Sequence, residues 1–93
     1  MKQAKKKFDW TKFKGDSRIC VHCKTQKEAE QFCKLMDAHG MRWISDKSYI
    51  NKTMYEMYEE NTCYYGSGQY GTLIVANQYG KEIHMFSAYD FSD

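Results

Sequence analysis

Within four residues, Cys20-Val21-His22-Cys23 offers two thiols and an imidazole, the donor types that zinc prefers. Tetrahedral sites commonly begin with such a close pair, so this segment is a candidate start of a metal site. An extended chain sends alternate residues to opposite faces. Cys20 and His22 then share one face, and Cys23 joins them only if the strand ends or bends before it. No second cysteine pair follows at finger-like spacing, so a fourth ligand must come from another element. Cys63 completes the candidate set of Cys20, His22, Cys23 and Cys63 around Zn2+, with His39 and His84 as alternatives. The competing reading makes Cys23 and Cys33 small apolar core residues and His22 a half-exposed sheet residue.

The remaining chemistry-bearing residues are scattered. His22, His39 and His84 have no serine or cysteine nucleophile in a recognisable context. Gly66-Ser67-Gly68-Gln69-Tyr70-Gly71 has the small residues of a phosphate cradle, but no Lys-Ser/Thr pair or strong helix start follows, and a hairpin turn is the reading. No catalytic residue is assigned, and the chain is expected to work by binding rather than as an enzyme. Tyr55, Tyr58, Tyr64, Tyr65, Tyr70, Tyr79 and Tyr89 are more than a small core can absorb. Tyrosine favours interfaces because a rigid apolar ring carries a polar tip. Beside the first of them stand Glu56, Glu59 and Glu60, whose charge suits a basic groove on another molecule. Tyr55, Tyr58, Tyr64, Tyr65 and the three glutamates are therefore the candidate partner-binding residues. A solvated acidic helix face, with tyrosines covering a second sheet face, is the plainer alternative.

The elements that must position these groups can be read from local signals. Asp9 can cap one helical turn that Gly15 closes, docking Phe8, Trp10 and Phe13 on the body. Arg18 to Cys23 reads as a strand. Thr25-Gln26-Lys27-Glu28 is a capping box, with the Thr25 hydroxyl accepting from the Glu28 amide and the Glu28 carboxylate reaching back to the Thr25 amide. The spacing predicts a helix over 26–39, with Ala29, Phe32, Cys33 and Met36 on its apolar face and Gly40 as its cap. Met41 to Ile44 reads as a short strand ended by a turn at Ser45 to Ser48. Asn51 to Asn61 fits a short helix or an ordered loop. Thr62 to Tyr65, Tyr70 to Ala76 and Lys81 to Phe86 read as strands, joined by turns at Gly66-Ser67-Gly68 and Asn77 to Gly80. The expected architecture is α+β: one main helix packed on a mostly antiparallel sheet of four to five strands, with room for a second short helix.

Composition bounds the rest. The chain of 93 residues, 42% hydrophobic and rich in aromatic rings, is expected to form a single domain over 1–93. No run of residues approaches the length of a bilayer span, and the charged start lacks the apolar stretch of an export signal, so a cytoplasmic location is expected. In that reducing compartment the four cysteines are expected as free thiols or metal ligands rather than disulfides. Residues 1–18 carry seven Lys/Arg against two Asp, and residues 19–93 carry seven against ten Asp/Glu, so the basicity belongs to an N-terminal arm at about 1–7 and the body is acidic. Lys5, Lys6 and Lys7 read as a solvated tail. Nucleic acid is not the expected partner.

Several spaced segments together carry a resemblance: Phe8-Asp9-Trp10 with Phe13-Lys14-Gly15, Val21-His22-Cys23-Lys24-Thr25 with Glu28-Ala29, Gly40 with Trp43, and Asn61-Thr62-Cys63-Tyr64. Over roughly Phe8 to Tyr64 the chain resembles small phage and prophage proteins of Firmicutes. Phage-carried domains of this size without an enzyme motif include the anti-CRISPR proteins, and the chain is similar to those aimed at type II effectors of the Cas9 class. That resemblance implies action in the host-cell cytoplasm through stoichiometric binding to a defence nuclease, so that target DNA is not loaded or cleaved. It implies no catalytic residue. A zinc-stabilised nucleic-acid-binding module and a phage accessory protein are the alternatives.

Overall fold

A computed structural model describes residues 6–49 and 53–91. Its elements in chain order are β1 (Lys6–Lys7), α1 (Trp10–Phe13), β2 (Ile19–His22), α2 (Gln26–Ala38), α3 (Tyr55–Tyr58), β3 (Thr62–Tyr65), β4 (Tyr70–Thr72), α4 (Leu73–Gln78), β5 (Glu82–Met85) and β6 (Tyr89–Asp90). Short 3-10 turns lie at Glu59–Asn61 and Phe86–Ala88. The α+β class expected from the sequence is the class observed.

The helix ends follow their capping residues. Asp9 accepts from the Lys12 amide at 3.1 Å and opens α1. Thr25 accepts from the Glu28 amide at 3.1 Å, while the Glu28 carboxylate reaches one residue further back than the sequence suggests, to the Lys24 amide at 2.9 Å. Past His39, Gly40 adopts φ +78°, and the Gly40 and Met41 amides donate to the carbonyls of Asp37 and Met36, both at 3.0 Å. That paired closure satisfies carbonyls the last turn would otherwise leave orphaned. Ala29, Phe32, Cys33 and Met36 are buried, as their helical spacing requires.

The central sheet has the order β4-β3-β2-β5. β4, β3 and β2 pair antiparallel, but β5 runs parallel to β2, with Cys20 opposite Ile83 and His22 opposite Met85. The expected antiparallel meander is corrected on this point, and the cause is α4. Tyr70 to Ala76 does not form one strand: Thr72 accepts from the Val75 amide at 3.1 Å and starts a helix there. Asn77 and Gln78 continue that helix, and Gly80 closes it with the Lys81 amide donating to Ala76 at 2.9 Å. A parallel strand needs a crossover, and α4 supplies the connection from β4 on one edge to β5 on the other.

The two faces of the sheet are therefore both covered. Ile19, Val21 and Tyr64 face α2 and the aromatic N-terminal segment, whereas Cys20, Cys63, Tyr65 and Ile83 face Leu73 and Ala76 of α4. Every residue of β2 and β3 is buried, which explains why these strands read as continuous apolar runs without strict alternation.

Two further expectations change. Met41 to Ile44 is not a strand: the Trp43 amide donates to Lys47 and the Ile44 amide to Gly68, both at 2.9 Å. The Trp43 ring packs on Tyr49 at 4.4 Å, so the apolar run anchors a loop to the β3–β4 turn rather than pairing in the sheet. Close approach there depends on glycine, since a Cβ on Gly68 would lie 2.8 Å from the Ile44 nitrogen and one on Gly66 1.6 Å from the Phe13 carbonyl oxygen. Lys6 and Lys7 form a parallel pair with Tyr89 and Asp90 rather than a solvated tail, and the Phe8 amide continues it to the Asp90 carbonyl at 3.0 Å. Lys5 and the rest of the expected arm lie outside the described residues, as do Asn51 and Lys52 of the ambiguous segment. No helix among the described residues is long and apolar enough to cross a membrane.

Candidate protein-binding cleft

α3 and the turn after it lie against the start of α2 and enclose a cleft of about 540 Å³ between Tyr55, Tyr58, Glu59, Glu60 and Asn61 on one side and Lys24, Thr25 and Gln26 on the other. Four of the seven residues singled out from sequence thus share one concavity. The Tyr55 hydroxyl donates to the Lys24 carbonyl at 2.8 Å and fixes the ring across the cleft. Thr62 donates to the Glu59 carbonyl at 2.8 Å, and His22 Nε2 donates to the Glu60 carbonyl at 2.6 Å. These bonds hold Glu59 at φ 49°, ψ −124°, a backbone conformation that side chains with a Cβ rarely adopt. Burial first, and then the carboxylates of Glu59, Glu60 and Glu28, raise the Tyr55 phenol above its ordinary range. Glu59 and Glu60 outweigh Lys24, so the cleft is net negative, and two tyrosine rings stand on one of its walls, a combination suited to a cationic side chain.

The other candidates sit elsewhere. Glu56 is exposed on α3. Tyr64 is corrected: it is a fully buried core residue, since β3 is a central strand covered on both faces; Tyr65 is also buried, outside this cleft, and lines a separate groove with Trp43 and Tyr70. The Tyr64 hydroxyl is used internally, donating to the Thr53 carbonyl. Tyr79, in contrast, is 73% exposed. Sequence reading missed Lys24, Thr25 and Gln26 as cleft residues. The capping box marked them only as a helix start, and no local signal shows that α3 folds back onto them.

The cysteines and histidines do not converge. Cys20, His22 and Cys63 lie on the α4 side of the sheet, but Cys23 points into the opposite layer beside Cys33 and Phe32. β2 ends at His22, but the Cys23 amide still donates to the Thr62 carbonyl at 3.0 Å, so the pairing and its alternation of faces carry on through Cys23. His22 spends Nε2 on Glu60 and has Nδ1 at 3.1 Å from the Met85 sulfur. His39 stacks on Trp10 at 4.0 Å, and His84 lies between Glu82 and Tyr89. Among the described residues no group of three or more His, Cys, Asp or Glu is arranged to hold a metal ion.

All four thiols are free and buried. Burial pushes Cys33 up to about 12 and raises Cys23 well above its ordinary value. Contact with Cys20 and then burial raise Cys63. Cys20, by contrast, is held below its ordinary value by the Cys63 thiol, so protection of the whole set rests on burial: iodoacetamide at about pH 8 is expected to spare all four thiols in the folded chain and to label all four in urea, read by intact mass. Rapid labelling without denaturant would show that the thiols open to solvent. The sign of the pH dependence follows: only the unfolded chain ionises Cys33 near 9.0, so its contribution to stability is complete below that value and is lost as pH rises toward about 12.

The chain matches no protein-family model, no curated protein and no solved structure.

Proposed function

We propose that this protein is a stoichiometric inhibitor that binds another protein through the Tyr55–Glu60 cleft and works without catalysis. The observation that carries the reading is the cleft itself, where the Tyr55 hydroxyl donates to the Lys24 carbonyl and His22 donates to the Glu60 carbonyl, leaving the Glu59 and Glu60 side chains exposed beside Tyr58. An acidic, aromatic, preformed concavity complements a basic protein groove of the kind that loads nucleic acid. With the resemblance to small phage proteins, the target is a host defence nuclease of the Cas9 class, and inhibition acts on target-DNA loading or cleavage. The host cytoplasm is the matching site of action.

The test is target-DNA cleavage by guide-loaded Cas9 with increasing amounts of the protein. Loss of cleavage near an equimolar ratio is expected. Full cleavage under a large molar excess would remove this class of nuclease as the target.

A further inference from the structure

β4 lies at the edge of the sheet, and its hydrogen-bond phase can be fixed from both sides. The Tyr65 amide donates to the Gln69 carbonyl at 2.9 Å, which makes that a bonded pair. Bonded pairs recur at alternate residues of an antiparallel ladder, so Cys63 and Gly71 form the next one, and Tyr64 with Tyr70 is non-bonded. The β2 side agrees: the Gly66 amide donates to Ile19 at 3.3 Å and the Cys23 amide to Thr62 at 3.0 Å, so Tyr64 and Thr62 turn their main-chain groups toward β2. The N–H and C=O of Tyr70 consequently point away from the sheet. Neither meets a hydrogen-bond partner among the described residues.

Beside this open edge runs a groove of about 820 Å³, lined by Trp43, Ile44, Met54, Gln69 and Tyr70 among others. The Tyr70 ring lies 5.6 Å from Trp43 and 5.6 Å from Tyr58. Groove and acidic cleft therefore meet at the Tyr58–Tyr70 contact. An unpaired main-chain donor and acceptor next to an aromatic channel suit an extended polypeptide, whose backbone completes the edge while alternate side chains enter the channel. Lys47 is the groove's own cation, so a basic residue of the occupant belongs at Glu59 and Glu60.

We infer that β4 accepts an extended segment of the partner protein as an added strand, with an apolar side chain in the Trp43 groove and an arginine or lysine reaching past Tyr58 to the cleft. The inference rests on the proposed protein-binding function, but not on which protein is bound.

The test uses the full chain and a short capped peptide alternating arginine and valine, followed by amide NMR. Shifts are expected at Tyr70 and Thr72, together with the Tyr58–Glu60 segment. Methylating the peptide nitrogens that face β4 is expected to weaken binding about tenfold, while methylating the alternate nitrogens leaves it unchanged. Equal effects of the two methylation patterns, or no binding by the unmodified peptide, would overturn strand addition. Discrimination between the patterns alongside undiminished Cas9 cleavage would support strand addition and remove the nuclease reading. Blocked cleavage without discrimination would do the reverse.

Discussion

Phe32→Ala is expected to lower the unfolding free energy by about 3 to 5 kcal/mol, a loss large enough to leave much of the protein unfolded at ordinary temperature. Phe32 is fully buried on α2, and the rings of Phe8, Trp10, Phe13, Tyr64, Phe86 and Phe91 have centroids 5.5 to 6.2 Å from its own. These neighbours come from three parts of the chain: the segment from Phe8 to Phe13, β3, and the stretch from Phe86 to Phe91. Truncation removes the dispersion contacts of a whole ring, and the surrounding side chains, fixed by their own packing, collapse only partly into the space. Urea titration followed by circular dichroism measures the change. A loss below about 1 kcal/mol would place the centre of the core elsewhere.

The second large effect concerns binding. Reversing charge with Glu59→Lys and Glu60→Lys together is expected to raise the concentration needed for nuclease inhibition about a hundredfold or more, because like charges brought together across an interface cost several kcal/mol. Both side chains are exposed, and their carbonyls, rather than their carboxylates, make the bonds to Thr62 and His22. The fold should consequently survive, which an unchanged thermal melt would verify. Replacing Lys5, Lys6 and Lys7 by alanine is expected to matter less. The reverse ranking would move the binding surface to the N-terminal segment. Raising ionic strength should weaken inhibition by the wild-type chain, chiefly through slower association.

What the sequence made legible was local. The boundaries of α2 were written in Thr25, Glu28 and Gly40, and the two buried strands in the apolar runs at Ile19 and Thr62. The misreading of Leu73-Ile74-Val75 shows where such signals compete. Branched residues favour strands only weakly, whereas Thr72 at one end and Gly80 at the other supply specific bonds that close a helix. Those two caps were visible and carried the better signal. The cleft was half legible: a cluster of tyrosines and glutamates announced a surface, but its far wall is built by the start of α2, distant in sequence. Tyr64 and Tyr65 were misplaced because composition alone does not tell a central strand from an edge.

The parallel pairing of Lys6 and Lys7 with Tyr89 and Asp90 also bears on how the protein is made. Phe8 packs against Phe91 at 4.8 Å although the two lie far apart in the sequence. During synthesis the first segment must therefore wait for this contact until Phe91 has emerged from the ribosome. The cluster closes only once Phe91 has been translated, and truncation before Phe91 leaves Phe8 and Trp10 without that cover and exposed to aggregation.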